Sequence, residues 1–206
     1  MKTFRKTLFV ATCIYATTAA NKLGTDFQGD ATYYGYTSGG NCALRDPVPD
    51  VYGDKIMIAL NGPQYSNSEM CGACVEGRFV GPGSGSGPFL DHFSGYISDQ
   101  CPGCGKGDLD FAMDGDGKFE IEWKFVKCDG GSAPTFEFEG SNVYYWKIQP
   151  RGMESPAKKV KINDKVAKRT QDNFFVVESE EGLLDHANVE VVTILDKRYT
   201  QQVSLP

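Results

Sequence analysis

Cysteine is absent from the last 78 residues of this 206-residue chain, and histidine is scarce throughout. A Ser-His-Asp or Cys-His mechanism would have to use His92 or His186, and neither lies near a persuasive nucleophile motif. Basic residues are outnumbered as well: 21 Lys and Arg stand against 27 Asp and Glu, which gives a formal net charge of −6. Because a phosphate backbone is bound mainly by basic side chains, we expect no nucleic-acid partner.

Long apolar runs are also missing. The mainly apolar stretch Thr7–Tyr15 is far shorter than the roughly 20 residues that a membrane-spanning helix needs, so we expect no membrane-embedded segment. Three basic residues precede this stretch and small residues follow it through Ala20, the pattern of a secretory signal peptide. We therefore predict that residues 1–20 are a signal peptide and that the protein is secreted.

The cysteines that remain after such a cleavage are concentrated in the first part of the chain, because the seventh, Cys13, lies in the predicted signal peptide. Their even number suits three disulfides in an oxidising compartment, and six cysteines allow 15 pairings that the sequence cannot separate. The six are Cys42, Cys71, Cys74, Cys101, Cys104 and Cys128.

Two alternatives to structural disulfides stay open. The chain has two Cys-x-x-Cys pairs, Cys71/Cys74 and Cys101/Cys104, which resemble the paired knuckles of a zinc ribbon. More residues separate the two pairs than is usual in such ribbons. Cys101-Pro-Gly-Cys104 also has the spacing of a redox motif, but it lacks a surrounding βαβ pattern. We expect no metal site. Asp114–Gly117 resembles the start of a calcium loop, but a hairpin turn explains it better because the closing Glu is missing.

The composition divides the chain at Asp129–Pro134, a Gly/Ser/Pro cluster directly after the last cysteine. We predict one domain at 21–129 and a second at 134–206. Residues 21–130 carry a net charge of −8 and residues 131–206 a net charge of −1. An acidic first domain would repel polyuronates, which favours a neutral polymer or a small molecule as ligand.

Strand patterns dominate both parts, and no long window has the periodicity of a helix. In Phe119–Phe125, apolar and charged residues alternate as in a strand with one face on a core. The glycine-rich stretch Gly81–Pro88 is predicted to be a flexible loop. Regularly spaced short strands indicate an all-β chain of sandwich or barrel type. We predict strands at Ala31–Tyr36, Lys55–Leu60, Cys74–Val80, Gly95–Ser98, Lys118–Lys127, Thr135–Glu139, Val143–Gln149, Lys158–Ile162, Asn173–Glu178 and Val189–Leu195.

Asp99 and Asp110 flank the Cys/Gly-rich segment and are the candidate functional acids. Asp110 lies between Leu109 and Phe111, and a carboxyl among apolar neighbours tends toward the raised pKa that suits a proton donor. The alternative is a purely structural carboxylate that accepts hydrogen bonds from loop amides.

Four short motifs occur in the same order as in expansins: Asp30–Gly35, Asp99–Pro102, Leu109–Phe111 and Trp123–Val126. The chain resembles this family, and especially its microbial members, over essentially all of the predicted mature sequence. The resemblance implies a six-stranded double-psi β-barrel followed by an immunoglobulin-like β-sandwich that binds cellulose. It also implies loosening of plant-type walls without hydrolysis and without a cofactor or metal. The disulfides implied by plant members are Cys42–Cys71, Cys74–Cys128 and Cys101–Cys104.

The resemblance also assigns a polysaccharide groove to Thr32, Tyr33, Tyr34, Asp99 and Asp110. Asp110 matches the general acid of the related family-45 endoglucanases, whereas the position matching their base is Gly35. Cys101 stands where bacterial members have a groove tyrosine, and the His-Phe-Asp motif of plant members is missing. These departures concern the shape of the groove.

In the second domain, Tyr144, Tyr145 and Trp146 fall on the family's cellulose-binding strand, and Ile162 takes the place of a third aromatic residue. Strand alternation predicts Tyr144 and Trp146 on one face and Tyr145 on the other. The alternative is that Tyr144 and Trp146 belong to the core.

We therefore expect a monomeric, extracellular protein of the cell wall that binds cellulose or other β-glucans and loosens walls without catalysis. One alternative is a glycan-cleaving enzyme on the same barrel, either a weak endoglucanase or a lytic transglycosylase, with Asp110 as its acid. Another is a barwin-like binding or defence protein, which the aromatic second domain argues against.

Overall fold

The computed structural model of the protein describes residues 23–44, 49–129 and 133–206. The predicted signal peptide, with Cys13, lies outside the described residues, as do residues 130–132 of the predicted boundary.

Within residues 23–129, the described strands close into a six-stranded barrel with the order β1-β5-β2-β4-β3-β6. This confirms the prediction of an all-β chain with a six-stranded barrel. Phe119, Ile121, Trp123 and Phe125 on the last strand are buried, as their alternation predicts. The strands are β1 (Asp26–Tyr33), β2 (Ile56–Asn61), β3 (Cys74–Gly87), β4 (Phe93–Cys101), β5 (Leu109–Phe111) and β6 (Asp116–Val126).

One helical turn, α1 (Gly62–Tyr65), follows β2. The Asn61 side chain caps it by accepting a hydrogen bond of 3.0 Å from the backbone N–H of Gln64. A single turn is too short to produce a periodic apolar pattern, so the sequence did not predict it. No helix in the described ranges has the length and apolar character needed to cross a bilayer.

The prediction of a flexible loop at Gly81–Pro88 is wrong, because β3 continues to Gly87 and pairs with β6. Gly83 lies opposite Phe119, and a Cβ there would come within 2.2 Å of the Phe119 ring. Gly85 adopts a φ of +90°, a backbone region that favours glycine. Glycine is therefore what allows this stretch to remain a strand with its two register shifts.

The second part of the chain contains two four-stranded sheets among its described residues, with the orders β10-β9-β13-β14 and β11-β12-β8-β7. Buried side chains from both sheets, including Trp146, Phe175, Val160 and Val189, form a second hydrophobic cluster. The strands are β7 (Thr135–Phe138), β8 (Tyr145–Arg151), β9 (Ala157–Ile162), β10 (Lys165–Val166), β11 (Lys168–Arg169), β12 (Phe175–Glu178), β13 (His186–Thr193) and β14 (Arg198–Ser204).

Buried polar side chains join this part to the barrel. Gln149 Nε2 donates to the carbonyl oxygen of Cys42 at 2.9 Å, and Arg151 Nη2 donates to that of Ala43 at 2.9 Å. Both side chains are almost fully buried. Because a buried donor without a partner costs about 1–3 kcal/mol, these bonds favour one arrangement of the two parts.

Three disulfides join the described cysteines: Cys42–Cys71, Cys74–Cys128 and Cys101–Cys104. The pairing is the one that the resemblance to plant expansins implies. Cys71 and Cys74 each bond to a different, distant partner, so the predicted alternative of a two-knuckle zinc ribbon does not fit this structure.

Candidate functional site

A row of residues crosses four neighbouring strands of the barrel. Ala59 on β2 is paired with Asp99 on β4 and with Asp110 on β5, and Asp110 is paired in turn with Thr32 on β1. Residues in register on adjacent strands share a face. Adjacent strands lie about 4.8 Å apart, so the two aspartates stand about 10 Å apart at the backbone. The small, buried side chain of Ala59 lies between them in this row.

Asp110 is held by Thr32, whose Oγ1 donates a hydrogen bond of 2.7 Å to Oδ1 of Asp110. The half-buried position of Asp110 raises the pKa of its carboxyl; the bond from Thr32 opposes this rise, and the nearby Asp99 adds to it. A carboxyl with a raised pKa can keep or donate a proton closer to neutral pH than an exposed one. Asp110 is therefore both a hydrogen-bonding group and a candidate acid.

Asp99 is fixed by backbone amides. Its Oδ1 accepts hydrogen bonds from the N–H of Asn41 at 2.7 Å and of Gln100 at 2.8 Å. The loop that carries Asn41 approaches closely at Gly40, where a Cβ would lie 2.4 Å from the carbonyl oxygen of Ser98. The sequence did not single out Asn41, because only the folded chain brings it to Asp99.

Of the two predicted groove tyrosines, the structure brings only Tyr34 to the acids. Burial raises the pKa of Tyr34, and the charges of Asp99 and Asp110 raise it further. Its side chain remains 38% exposed, so it can form an apolar wall. The placement of Tyr33 in the groove is wrong: its ring packs on the buried Phe111 and Phe119, and its hydroxyl donates to the carbonyl oxygen of Pro88. Strand alternation explains this, because Tyr33 follows Thr32 directly and points to the opposite side of the sheet.

Gly35 marks the end of this strand region, with a φ of +83°. An Oδ1 atom of Asp114 lies 3.9 Å from the point that a Cβ at position 35 would occupy. A third carboxylate therefore stands beside the glycine. The sequence interpretation assigned Asp114 only to a turn.

A hydrogen-bonded path leads from the acids to the second part of the chain. Asn41 Nδ2 donates to the Tyr65 hydroxyl at 3.0 Å, and that hydroxyl donates to the carbonyl oxygen of Gln171 at 3.4 Å. Burial raises the pKa of Tyr65 to about 12, so the hydroxyl remains a donor at neutral pH. Next to Gln171, Asp172 forms a salt bridge of 2.9 Å with Lys147 on β8.

Tyr144, Tyr145 and Trp146, the three aromatic residues predicted to form a cellulose-binding platform, are separated in the structure. Tyr144 lies just before the strand and is 58% exposed, and Tyr145 is partly exposed. The assignment of Trp146 to the platform is wrong: its side chain is fully buried, and its Nε1 donates to the carbonyl oxygen of Leu184. Ile162 is also fully buried. The predicted alternation holds within the strand itself, but Tyr144 precedes the strand and does not share the face of Trp146.

An open cleft on another side of the barrel wall is lined by charged residues of both signs, among them Arg78 and Glu122. Arg78 Nη2 lies 2.9 Å from Oε2 of Glu122, and this hydrogen bond holds the pKa of Glu122 below its usual range. Such a pair suits an ionic contact rather than proton transfer. We therefore place the candidate site at Asp99 and Asp110.

Comparison with known proteins points to one family. No protein-family model matches the chain. The putative expansin-B2 of Arabidopsis thaliana is 28% identical over 140 residues, which cover 58% of this chain and 50% of that protein. The chain thus aligns with about half the length of this relative.

Two crystal structures of a Clavibacter michiganensis expansin extend the comparison to the fold. A mutant in complex with cellohexaose matches with a TM-score of 0.70 at 22% identity, covering 88% of this chain and 92% of that one. The apo protein matches over the same shares with a TM-score of 0.68 at 22% identity. The resemblance to expansins predicted from the sequence is confirmed, and the chain has the fold of a bacterial expansin.

Proposed function

We propose that this protein is a secreted, expansin-like protein that binds cellulose or related β-glucans and loosens plant-type cell walls without hydrolysis. Residues 21–129 form the double-psi barrel domain, and residues 134–206 form an immunoglobulin-like carbohydrate-binding domain. The predicted signal peptide and the disulfides support secretion to the cell wall. The cellohexaose bound to the Clavibacter expansin supports a β-glucan as ligand. The protein acts as a monomer and needs no cofactor.

The row formed by Asp99, Ala59, Asp110 and Thr32 is the observation that carries this proposal. Two aspartates whose backbones lie about 10 Å apart on one face can accept hydrogen bonds from the hydroxyls of neighbouring sugar units, with only the small side chain of Ala59 between them. Tyr34 supplies a partly exposed ring for the C–H face of a sugar.

Gly35 supports binding without hydrolysis. An inverting glycosidase needs a second carboxylate roughly 6.5–9.5 Å from its acid to activate water. Glycine has no carboxylate, and the φ of +83° at this position strains any other residue. Loss of one proton-transfer group slows such a reaction by about 10²–10⁴-fold. Glucan–glucan contacts are instead exchanged for protein–glucan contacts, and the polymer strands slide under load.

The second domain binds the surface of the polymer. Tyr144 and Tyr145 are the exposed and partly exposed aromatic residues at the start of β8, and aromatic rings stack on the C–H faces of sugars. With Trp146 and Ile162 in the core, the platform is smaller than the sequence predicted. We therefore expect modest affinity for crystalline cellulose.

Binding to microcrystalline cellulose tests this proposal. The protein should bind it with an affinity that changes little between 50 mM and 500 mM salt, because an uncharged polymer releases no counterions. Soluble cellohexaose should bind the barrel and should bind more weakly to an Asp99→Asn/Asp110→Asn double variant. Absence of binding to both ligands by the folded protein would refute the proposal.

A second candidate function is glycan cleavage with Asp110 as acid. The position of Asp114, whose carboxylate lies beside Gly35, favours a weak endoglucanase in which Asp114 serves as the base. A lytic transglycosylase would need only the acid. Asp114→Asn should then abolish sugar release from β-glucans but leave release from peptidoglycan unchanged. Wild-type protein that releases no product from either polymer would exclude both enzymes.

A further inference from the structure

The Cys101–Cys104 disulfide lies against the groove acid. One ligand atom from each of Cys101, Cys104 and Asp110 falls within 4.8 Å of the other two. The disulfide is half-buried, and the residues between its cysteines, Pro102 and Gly103, are exposed. A small reagent can therefore reach the sulfur atoms.

The other two disulfides are protected by comparison. Cys42 and Cys74 are fully buried, and their partners Cys71 and Cys128 are at most 4% exposed. They span 29 and 54 residues, whereas Cys101 and Cys104 are separated by 3. A cross-link over so short a segment removes little entropy from the unfolded chain, so its loss leaves the fold largely intact.

We propose that reduction of Cys101–Cys104 creates a zinc site formed by the two thiolates and the Asp110 carboxylate. A small dithiol supplies the electrons: it becomes a cyclic disulfide, while Cys101 and Cys104 become thiols. Zn²⁺ then displaces one proton from each thiol and binds both sulfur atoms and one Asp110 oxygen. The centre, with its three negative ligands, carries a net charge of −1.

The geometry suits Zn²⁺ in particular. Cys-x-x-Cys is the spacing of zinc knuckles, and Zn²⁺ accepts both thiolate and carboxylate ligands in a tetrahedron. Zn–S bonds of about 2.3 Å place two thiolate sulfurs about 3.8 Å apart, a separation that rotation of the two cysteine side chains can reach. Three protein ligands leave the fourth position for water.

Zinc binding has a consequence for the groove, and this consequence rests on the proposed function. Zn²⁺ on one Asp110 oxygen withdraws negative charge from the carboxylate, and Thr32 already donates to Oδ1, so Asp110 becomes a poorer acceptor for a sugar hydroxyl. Zinc-loaded protein should therefore bind cellohexaose at least tenfold more weakly than the oxidised protein.

The first test is selective reduction of the full chain. Dithiothreitol at neutral pH without denaturant, followed by alkylation and peptide mapping, should label Cys101 and Cys104 and leave the other four cysteines protected. Simultaneous labelling of all six would overturn the proposal, because the site would then not form in the folded protein.

The second test uses Co²⁺ as a spectroscopic probe after anaerobic removal of the reductant. One equivalent should produce the visible bands of a tetrahedral centre and a thiolate charge-transfer band, and Zn²⁺ should remove both. A folded Asp110→Asn variant should bind Co²⁺ at least about tenfold more weakly, whereas Asp91→Asn, an exposed control, should not change. Free thiols without these bands, or an unchanged affinity in Asp110→Asn, would refute the site. If no form binds cellohexaose but the bands appear, the proposed function fails and the metal site stands.

Discussion

Thr32 Oγ1 donates a hydrogen bond of 2.7 Å to Oδ1 of Asp110, across the parallel strands β1 and β5. The bond fixes the orientation of a carboxyl that burial makes harder to ionise. Because Asp99 lies on the same face beyond Ala59, the two aspartates form one polar surface on the barrel. Their functional importance can be tested by separate substitutions.

Asp110→Asn should reduce creep of plant wall strips at least tenfold and leave cellulose binding by the second domain intact. The change preserves side-chain volume and the Oδ1 acceptor for Thr32, but removes the carboxyl group that is proposed to contact the glucan. Creep under constant load measures the effect, and Asp91→Asn serves as the matched control. Full creep by Asp110→Asn would make Asp110 a structural hydrogen-bond acceptor.

The contribution of Asp110 to the free energy of unfolding should fall as pH rises. Burial raises its pKa, so the folded state binds the proton more tightly than the unfolded state. Its favourable contribution is complete below the ordinary aspartate pKa of about 3.9 and is lost as pH rises through the folded value. Asn does not titrate, so Asp110→Asn should gain stability relative to wild type between pH 3 and pH 7.

Because solvent screens this half-exposed group, Asp110→Asn should raise the free energy of unfolding by less than about 1 kcal/mol. Calorimetry should show it as a rise in Tm of about 1–3 °C at pH 7 that disappears near pH 3. A difference in Tm that stays constant over this range would mean that Asp110 does not titrate as described.

Tyr144→Ala combined with Tyr145→Ala should weaken binding to microcrystalline cellulose about tenfold, or by ~1–2 kcal/mol, because stacking at exposed sites is modest. Binding isotherms measure this change, with Val166→Ala as an exposed control on the other sheet. An unchanged affinity in a folded double variant would move the platform to another face.

The disulfides should contribute unequally to stability. Replacing Cys74 and Cys128 by Ala opens a loop of 54 residues and should cost about 4 kcal/mol, whereas the same change at Cys101 and Cys104 should cost about 2 kcal/mol. Urea unfolding of the two double variants makes the comparison. Equal losses would contradict the entropic account.

The sequence predicted most of the strands because their side chains alternate. Phe119–Phe125 on β6 shows this well, because alternate side chains of this stretch are buried in the core of the barrel. The same rule could have excluded Tyr33 from the groove, since it follows Thr32 directly. The strand character of Gly81–Gly87 was not predictable, because it depends on pairing with β6 rather than on its own composition.

The site was only partly predictable for a similar reason. Asp99 and Asp110 stand out by their neighbours in sequence, but the register that places Ala59 between them is a property of the folded sheet. Asn41 joins the site through a loop and Tyr65 through the single helical turn α1, and the sequence specifies the position of neither. Trp146 illustrates the limit for the second domain: an aromatic residue on a strand can belong to either face, and here it belongs to the core.

Wall loosening without cleavage can be tested by two assays on one preparation. Heat-killed plant wall strips are held under constant load while the bathing solution is analysed for reducing sugars. We expect creep on addition of the protein, with no sugar release above the buffer control. Creep that rises in proportion to released sugar, and that is lost together with it in Asp114→Asn, would contradict the account and identify a glycan-cleaving enzyme.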